Sequence, residues 1–333
     1  MTARVLVTGA AGYLGSRLIE ALATEERARW EALVATDLRA PPDHLRLPGI
    51  TWVRHDVRNP GLAELLQEHG ITAVIHLASI VTPGKGSTRE LEYSVDVLGT
   101  RNVVHACLGA GVRRLVVTSS GAAYGYHADN PARLTEDHPL RGNVEFAYSD
   151  HKRQVEGILA ACRAAHPELE QVVLRVGTIL GERTDNQITA LFRRRRPLAI
   201  RGAASPFVFV WDRDVVGCLV RGMADGPPGV YNVAGDGTMA MDDIAVAMGT
   251  RARHLPAGLL RAALAVLKPL GLSRYGPEQV GFLQYRPVLD NTRLKTVFGY
   301  VPRKTSREAF EVWRESNVVS RKSYEVRLPT FSS

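Results

Sequence analysis

Cysteine is scarce in this 333-residue chain. Cys107, Cys162 and Cys218 are scattered through apolar stretches with no CxxC or CxxH spacing. That spacing excludes a disulfide framework and a thiolate metal site, and it implies buried thiols in a reducing compartment. The histidines form no HxH or HExxH pair, so no metal is expected. Long apolar runs are lacking as well. The longest, 255–272, is interrupted by Pro256, Arg261, Lys268 and Pro269. It is too short and too punctuated to span a bilayer, and a cap helix over an apolar pocket is expected there. The first strand begins almost at Met1, so no leader segment is expected; a cytoplasmic protein without membrane contact is the default. Repeats and low-complexity tracts are absent. Acidic residues fall short of basic ones, 34 against 42, for a net charge of +8. The surplus suits an anionic cofactor or substrate and is too diffuse for nucleic acid. Its sharpest cluster, Arg193, Arg194, Arg195 and Arg196, reads as the solvated end of a helix, where cations complement the macrodipole.

What the chain does have is alternation. β-Rich runs at 4–8, 32–36, 50–55, 72–77, 114–118 and 171–176 alternate with helical stretches at 13–24, 61–69, 88–110 and 147–165. Such alternation calls for an α/β fold, a doubly wound parallel sheet of Rossmann type, with ligands at the C-terminal strand edge. Beyond residue 177 the pattern loosens. A strand is expected at 207–210 and mostly helix over 235–305. The domain assignment is therefore 1–177 plus 207–234 for the dinucleotide-binding domain. A smaller, mostly helical substrate domain takes 178–206 plus 235–320, and 321–333 is a tail.

The first strand runs into Thr8-Gly9-Ala10-Ala11-Gly12-Tyr13-Leu14-Gly15. Gly9 and Gly12 remove the Cβ atoms that would block a pyrophosphate, and Gly15 lets the helix pack closely on the sheet. The N–H groups around Tyr13 and Leu14 face the phosphate charge. Asp37 closes the second strand, where a carboxylate accepts from an adenosine ribose and repels a 2′-phosphate. NAD is therefore expected over NADP, with Arg39 read as an exposed loop residue.

Tyr148 and Lys152 stand four apart at the start of the helix 147–165 and share one face. A phenol is a poor proton carrier at neutral pH, and an adjacent ammonium favours its phenolate. Lys152 can also donate to a nicotinamide ribose. Ser120 ends the fifth strand, where its hydroxyl can hold the substrate oxygen that exchanges a proton with Tyr148.

With these motifs in place, the chain resembles the extended short-chain dehydrogenases/reductases of the NAD-dependent epimerase/dehydratase superfamily. The resemblance extends to Asp56-Val57, His76-Leu77-Ala78-Ser79, Val95-Asp96-Val97-Leu98-Gly99-Thr100 and Leu174-Arg175-Val176-Gly177-Thr178. It implies adenine contact at Asp56 and Val57. It further implies a cofactor wall at Leu77, Ala78, Ser79, Asp96 and Gly177, and a homodimer paired through helices 88–110 and 147–165. Substrate-lining candidates are Val81, Ser120, Thr178, Phe207 and Trp211. Departures stand at four of the family's positions: Asp96 for Asn, Thr178 for Asn, Phe207 for the Arg that clamps a pyrophosphate, and Trp211 for His. Arg286 is a later cation whose spacing to Asp290 departs from the sugar-nucleotide pattern. These departures favour interconversion of a secondary alcohol and a ketone on a small, fairly apolar substrate. The alternative is a nucleotide-sugar epimerase with tightly held NAD. Dehydration is the weaker branch, because no Asp-Glu pair stands beside Ser120. A non-catalytic NAD-sensing scaffold is disfavoured by the intact Ser120, Tyr148 and Lys152.

Overall fold

The computed structural model describes residues 3–84, 86–272 and 276–325. Its strands are β1 (Ala3–Thr8), β2 (Trp30–Asp37), β3 (Ile50–Arg54), β4 (Ala73–His76), β5 (Arg114–Ser120), β6 (Glu170–Val176), β7 (Thr178–Leu180), β8 (Leu198–Ile200), β9 (Phe209–Trp211), β10 (Gly229–Val233) and β11 (Arg253–Leu255). Helices α1 (Tyr13–Ala23), α2 (Leu62–Glu68), α3 (Arg89–Tyr93), α4 (Gly99–Gly109), α5 (Ala147–Ala165) and α6 (Gln187–Phe192) precede α7 (Asp212–Ala224). They are followed by α8 (Met241–Ala247), α9 (Ala257–Leu267), α10 (Gln279–Gln284), α11 (Thr292–Thr296) and α12 (Ser306–Glu325).

Seven parallel strands form one sheet in the order β10-β6-β5-β4-β1-β2-β3. Runs such as Val5-Leu6-Val7 are buried on both faces because the chain period of two sends successive side chains to opposite cores. Val5 and Val7 join the core that contains α1 and α7, and Leu6 joins the core that contains α2, α4 and α5. The strand order reverses beside β1, which pairs with β2 on one side and β4 on the other. That reversal opens a crevice at the C-terminal ends of β1 and β4, where an open α/β sheet binds its ligand.

Three stretches differ from the sequence reading. The helix expected over 88–110 is interrupted by a π turn at Ser94–Leu98. The extra residue turns Asp96 inward, where its carboxylate accepts from the Ile80 N–H at 2.9 Å. The strand expected at 207–210 lies at Phe209–Trp211 and pairs with β7 outside the main sheet. Phe207 forms only an isolated antiparallel bridge with Met239. The segment 235–305 is a series of short helices and one strand, because Pro and Gly interrupt it repeatedly. Within it, α9 buries none of its residues. Of the tail 321–333, helix α12 takes residues to Glu325, and 326–333 lie outside the described residues.

Candidate active site

The glycine turn has the geometry its sequence requires. Gly9 has φ +67, and a Cβ there would lie 2.7 Å from the backbone nitrogen of Ala78 at the end of β4. A Cβ on Gly15 would lie 2.2 Å from the Gly9 carbonyl oxygen. No side chain caps α1 and no acid stands in its first turn, so its N–H groups and positive dipole end are left for an anion. Asp37 sits beside this turn, and its carboxylate accepts from the N–H groups of Ala11 at 3.0 Å and Arg39 at 2.9 Å. The Arg39 guanidinium folds back onto it, Nε to Oδ1 at 3.2 Å. A cradle cleared of Cβ atoms, a bare helix N-terminus and a carboxylate at the end of β2 together fit a dinucleotide.

Other candidate cofactor residues fall around the same edge. The N–H groups of Leu77 and Ala78 donate to Thr8 Oγ1, and the Gly177 N–H donates to the Val233 carbonyl at 2.9 Å. Ser79 has a buried Oγ that interacts with the Asp96 carboxylate. Asp56 is taken up by Arg58, Nη2 to Oδ2 at 2.6 Å. Val57 packs against Gly99, whose missing side chain makes room for it. The Tyr13 hydroxyl does not face the crevice alone; it donates to Asp212 Oδ2 at 2.7 Å and bonds Thr184.

Ser120, Tyr148 and Lys152 converge. Ser120 hydrogen-bonds the Tyr148 phenol, which lowers its pKa, but burial outweighs this and pushes the phenol up to about 12, with the Asp96 charge adding. Lys152 Nζ lies 5.7 Å from the Tyr148 ring centroid and donates to the Thr118 carbonyl at 3.3 Å. In the chain without ligand, burial thus favours the protonated phenol, and a cationic nicotinamide ring beside it would act with Lys152 in the opposite direction. Burial lowers the Lys152 pKa against the pull of Asp96 and Glu156.

Behind these residues lies a charged layer whose pairing the sequence reading did not give. Glu156 takes a bidentate grip from Arg175, both contacts at 2.8 Å, and a third bond from Ser119 at 2.5 Å. Asp96 Oδ2 stands 3.8 Å from His151 Nδ1, with both side chains 1% exposed. His76 sits between Thr8 and Thr100, and burial with the nearby Lys152 pushes it down to about 3.

On the substrate side the sequence candidates separate. Phe207 is 1% exposed and belongs to an aromatic core with Phe192 and Phe209, so it lines no open surface by itself. Trp211 is partly buried beneath Lys304 and Arg213. Thr178 starts β7, and Val81 is 61% exposed on the loop after β4. The sequence did not connect Phe207 with the cation that stands beside it. Arg286 lies 3.8 Å over the Phe207 ring and donates from Nη1 to the Ser205 carbonyl at 2.7 Å. Among the described residues no acid pairs with it, and burial pushes it down to about 10. Tyr126 links it to the reaction centre: Tyr126 feels both Arg286 and Tyr148, and Tyr126, Phe146 and Phe282 form an aromatic wall that reaches Tyr148.

Comparisons with known proteins agree with this geometry. A family model described as "NAD dependent epimerase/dehydratase family" matches residues 5–234. The uncharacterized protein Rv0501 of Mycobacterium tuberculosis is 28% identical over 311 residues, 92% of this chain and 82% of that one. A UDP-glucose 4-epimerase of Mycolicibacterium smegmatis is 29% identical over 314 residues, 90% of this chain and 93% of that one. MoeE5, solved in complex with UDP-glucuronic acid and NAD, superposes with a TM-score of 0.71 at 27% identity over 96% of this chain and 99% of that chain. WbmG of Bordetella bronchiseptica, solved with NAD and UDP, shares the fold at a TM-score of 0.72 and 18% identity, over 98% of this chain and 96% of that chain.

Proposed function

We propose that this chain, which belongs to the NAD dependent epimerase/dehydratase family, acts on a nucleoside-diphosphate sugar as an epimerase. The observation that carries this reading is Arg286, a largely buried guanidinium without an acid partner among the described residues. A cation withdrawn from water and left unpaired is costly, and a diphosphate would relieve that cost. The epimerase among the relatives and the UDP-glucuronic acid in the MoeE5 complex support the same choice.

The family cofactor, NAD, supplies a reversible store for a hydride. The chain's own residues do the rest. Gly9, Gly12 and the start of α1 take the pyrophosphate, and Asp37 takes the adenosine ribose. Ser120 holds the substrate oxygen against Tyr148, which would take that oxygen's proton as the ketone forms and return it as the hydroxyl is restored. Lys152, anchored to the Thr118 carbonyl, supplies a positive charge beside the reacting atoms. The aromatic wall of Tyr126, Phe146 and Phe282 excludes water from one side and offers faces for a sugar ring.

The second reading, a dehydrogenase for an apolar alcohol, is favoured by that same wall. A panel of sugar nucleotides and apolar alcohols separates the two. The epimerase reading expects sugar nucleotides to interconvert, read by anion-exchange chromatography, without net growth of reduced-nicotinamide absorbance. Net reduction of added NAD by the alcohols, with every sugar nucleotide returned unchanged, would overturn it.

A further inference from the structure

Helix α9, with sequence AGLLRAALAVL, buries none of its residues. Its inner positions Ala257, Leu260, Leu264 and Leu267 are only partly covered. The opposite face is apolar as well: Leu259 and Val266 are each 60% exposed, and Leu270 and Leu272 beyond the helix are 64% and 73% exposed. Arg261 is its one charge, and it reaches to Gln284 at 2.8 Å. A helix apolar all round belongs in a core or in lipid, and the fold gives α9 no core. At 11 residues it is about 16 Å long, half a bilayer, so it suits lying in an interface and not crossing one.

The charge around it is mostly positive, with two acids taken up locally, Glu278 by Lys268 and Asp242 by His254. Strand β11 leads through Pro256 into α9 and pairs in parallel with β8. Exposed arginines bracket this two-stranded ribbon: Arg194, Arg195 and Arg196 before β8, Arg201 after it, Arg251 before β11 and Arg253 within it. Among the described residues none of these six is paired with an acid. Some surface arginines elsewhere are paired, as Arg58 is with Asp56, Arg141 with Asp129 and Arg293 with Asp137, and single ones such as Arg54 and Arg101 are not, among the described residues; what sets this lobe apart is six in one short ribbon. Unpaired cations and uncovered leucines occur together on this lobe.

We propose that α9 and the arginine-bracketed ribbon form a docking surface for an anionic lipid bilayer. The apolar helix enters the boundary between headgroups and acyl chains, and the arginines meet phosphate headgroups. A second copy of the chain fits less well, because a two-fold contact through this lobe sets the same six unpaired cations against one another. The sequence reading excluded a membrane because the apolar run is too short and too punctuated to span one, and that argument does not reach a helix lying on the surface.

The test is co-sedimentation of the full chain with vesicles of phosphatidylcholine alone or with about a third phosphatidylglycerol, at low and high salt. Binding to the anionic vesicles is expected, at least tenfold above the neutral ones and falling as salt screens the charge. Arg194→Gln/Arg195→Gln/Arg196→Gln should lower anionic partitioning about a hundredfold at low salt. Leu259→Ser/Val266→Ser should lower partitioning about tenfold. These positions lie outside the candidate active site, and an unchanged circular-dichroism spectrum and Tm certify that the variants fold. Equal partitioning of wild type and both variants, or no sedimentation with either lipid, overturns the proposal. So does a concentration-dependent dimer that Leu259→Ser/Val266→Ser dissolves without any vesicle binding, since the occupant is then a second copy.

Discussion

Replacing Arg286 by Gln should move stability and substrate affinity in opposite directions. Burial lowers this guanidinium from 12.5 to about 10, which corresponds to about 3 kcal/mol against the charged form in the substrate-free protein. The sign follows from proton linkage. Between about 10 and 12.5 the unfolded chain binds the proton more readily than the native one, so stability rises with pH across that window and the full penalty applies at neutral pH. Removing the charge relieves that cost. It also removes the bonds to Ser205, worth about 1 kcal/mol, and the stack on Phe207, worth about 1 kcal/mol. A net gain of about 1 kcal/mol remains. For 333 residues the unfolding entropy is about 0.7 kcal/mol per degree, so Tm should rise by about 1–2 °C. Binding moves the other way. Loss of one partner of a buried charge pair costs about 2–5 kcal/mol, so KM for a sugar nucleotide should rise at least about thirtyfold while cofactor affinity holds. Calorimetry on the substrate-free protein and initial rates over a substrate range measure the two effects. A fall in Tm together with an unchanged KM would show that Arg286 is a structural strut and holds no phosphate.

Four further outcomes follow from the geometry. Tyr148→Phe should abolish turnover, by about 10²-fold or more, while NAD binding read by fluorescence titration stays within a factor of two; surviving activity would remove the phenol from the mechanism. Asp37→Ala should weaken NAD and improve NADP, because the carboxylate beside Arg39 is what opposes a 2′-phosphate; unchanged affinities for both would misplace the ribose. Glu156→Gln leaves Arg175 buried without its countercharge, and denaturant unfolding should show a loss of about 3–5 kcal/mol; Glu156→Leu with Arg175→Met should recover much of it. Acid should destabilise the fold from about pH 6.5 downward. His76 is held down to about 3, so its contribution, at most about 5 kcal/mol, is complete above the unfolded value and fades toward the folded one; His76→Gln should flatten that part of the stability profile.

The sequence spoke clearly wherever a site is built from one stretch of chain. Gly9 and Gly15 are dictated by clashes with backbone a few residues away or at the next strand end, and Tyr148 with Lys152 needs only helical spacing. Alternating β-rich and helical runs were enough for the doubly wound sheet, because parallel strands require covered faces. What stayed hidden depends on residues far apart in sequence. Arg286 gains meaning only when the fold lays it over Phe207, and Phe207 read alone argued against phosphate. Asp96 looked like a simple replacement of Asn until the π turn carried it inward toward His151. The protonation of Tyr148 likewise follows from burial, a property of the assembled layer that helical spacing does not contain.

These hidden features share a physical cause that bears on mechanism. Arg286, Tyr148 and Lys152 are all displaced by burial toward their neutral forms. The substrate-free site is thus electrostatically unfinished. A bound diphosphate and a cationic ring would supply opposite charges at its two ends, restoring the guanidinium and drawing the phenol down together. Chemistry on a substrate lacking the diphosphate should then suffer in kcat as well as KM, because the same charges that bind also set the proton carrier. A truncated sugar that matched the full nucleotide in kcat, and lost only affinity, would show that the two ends of the site act independently.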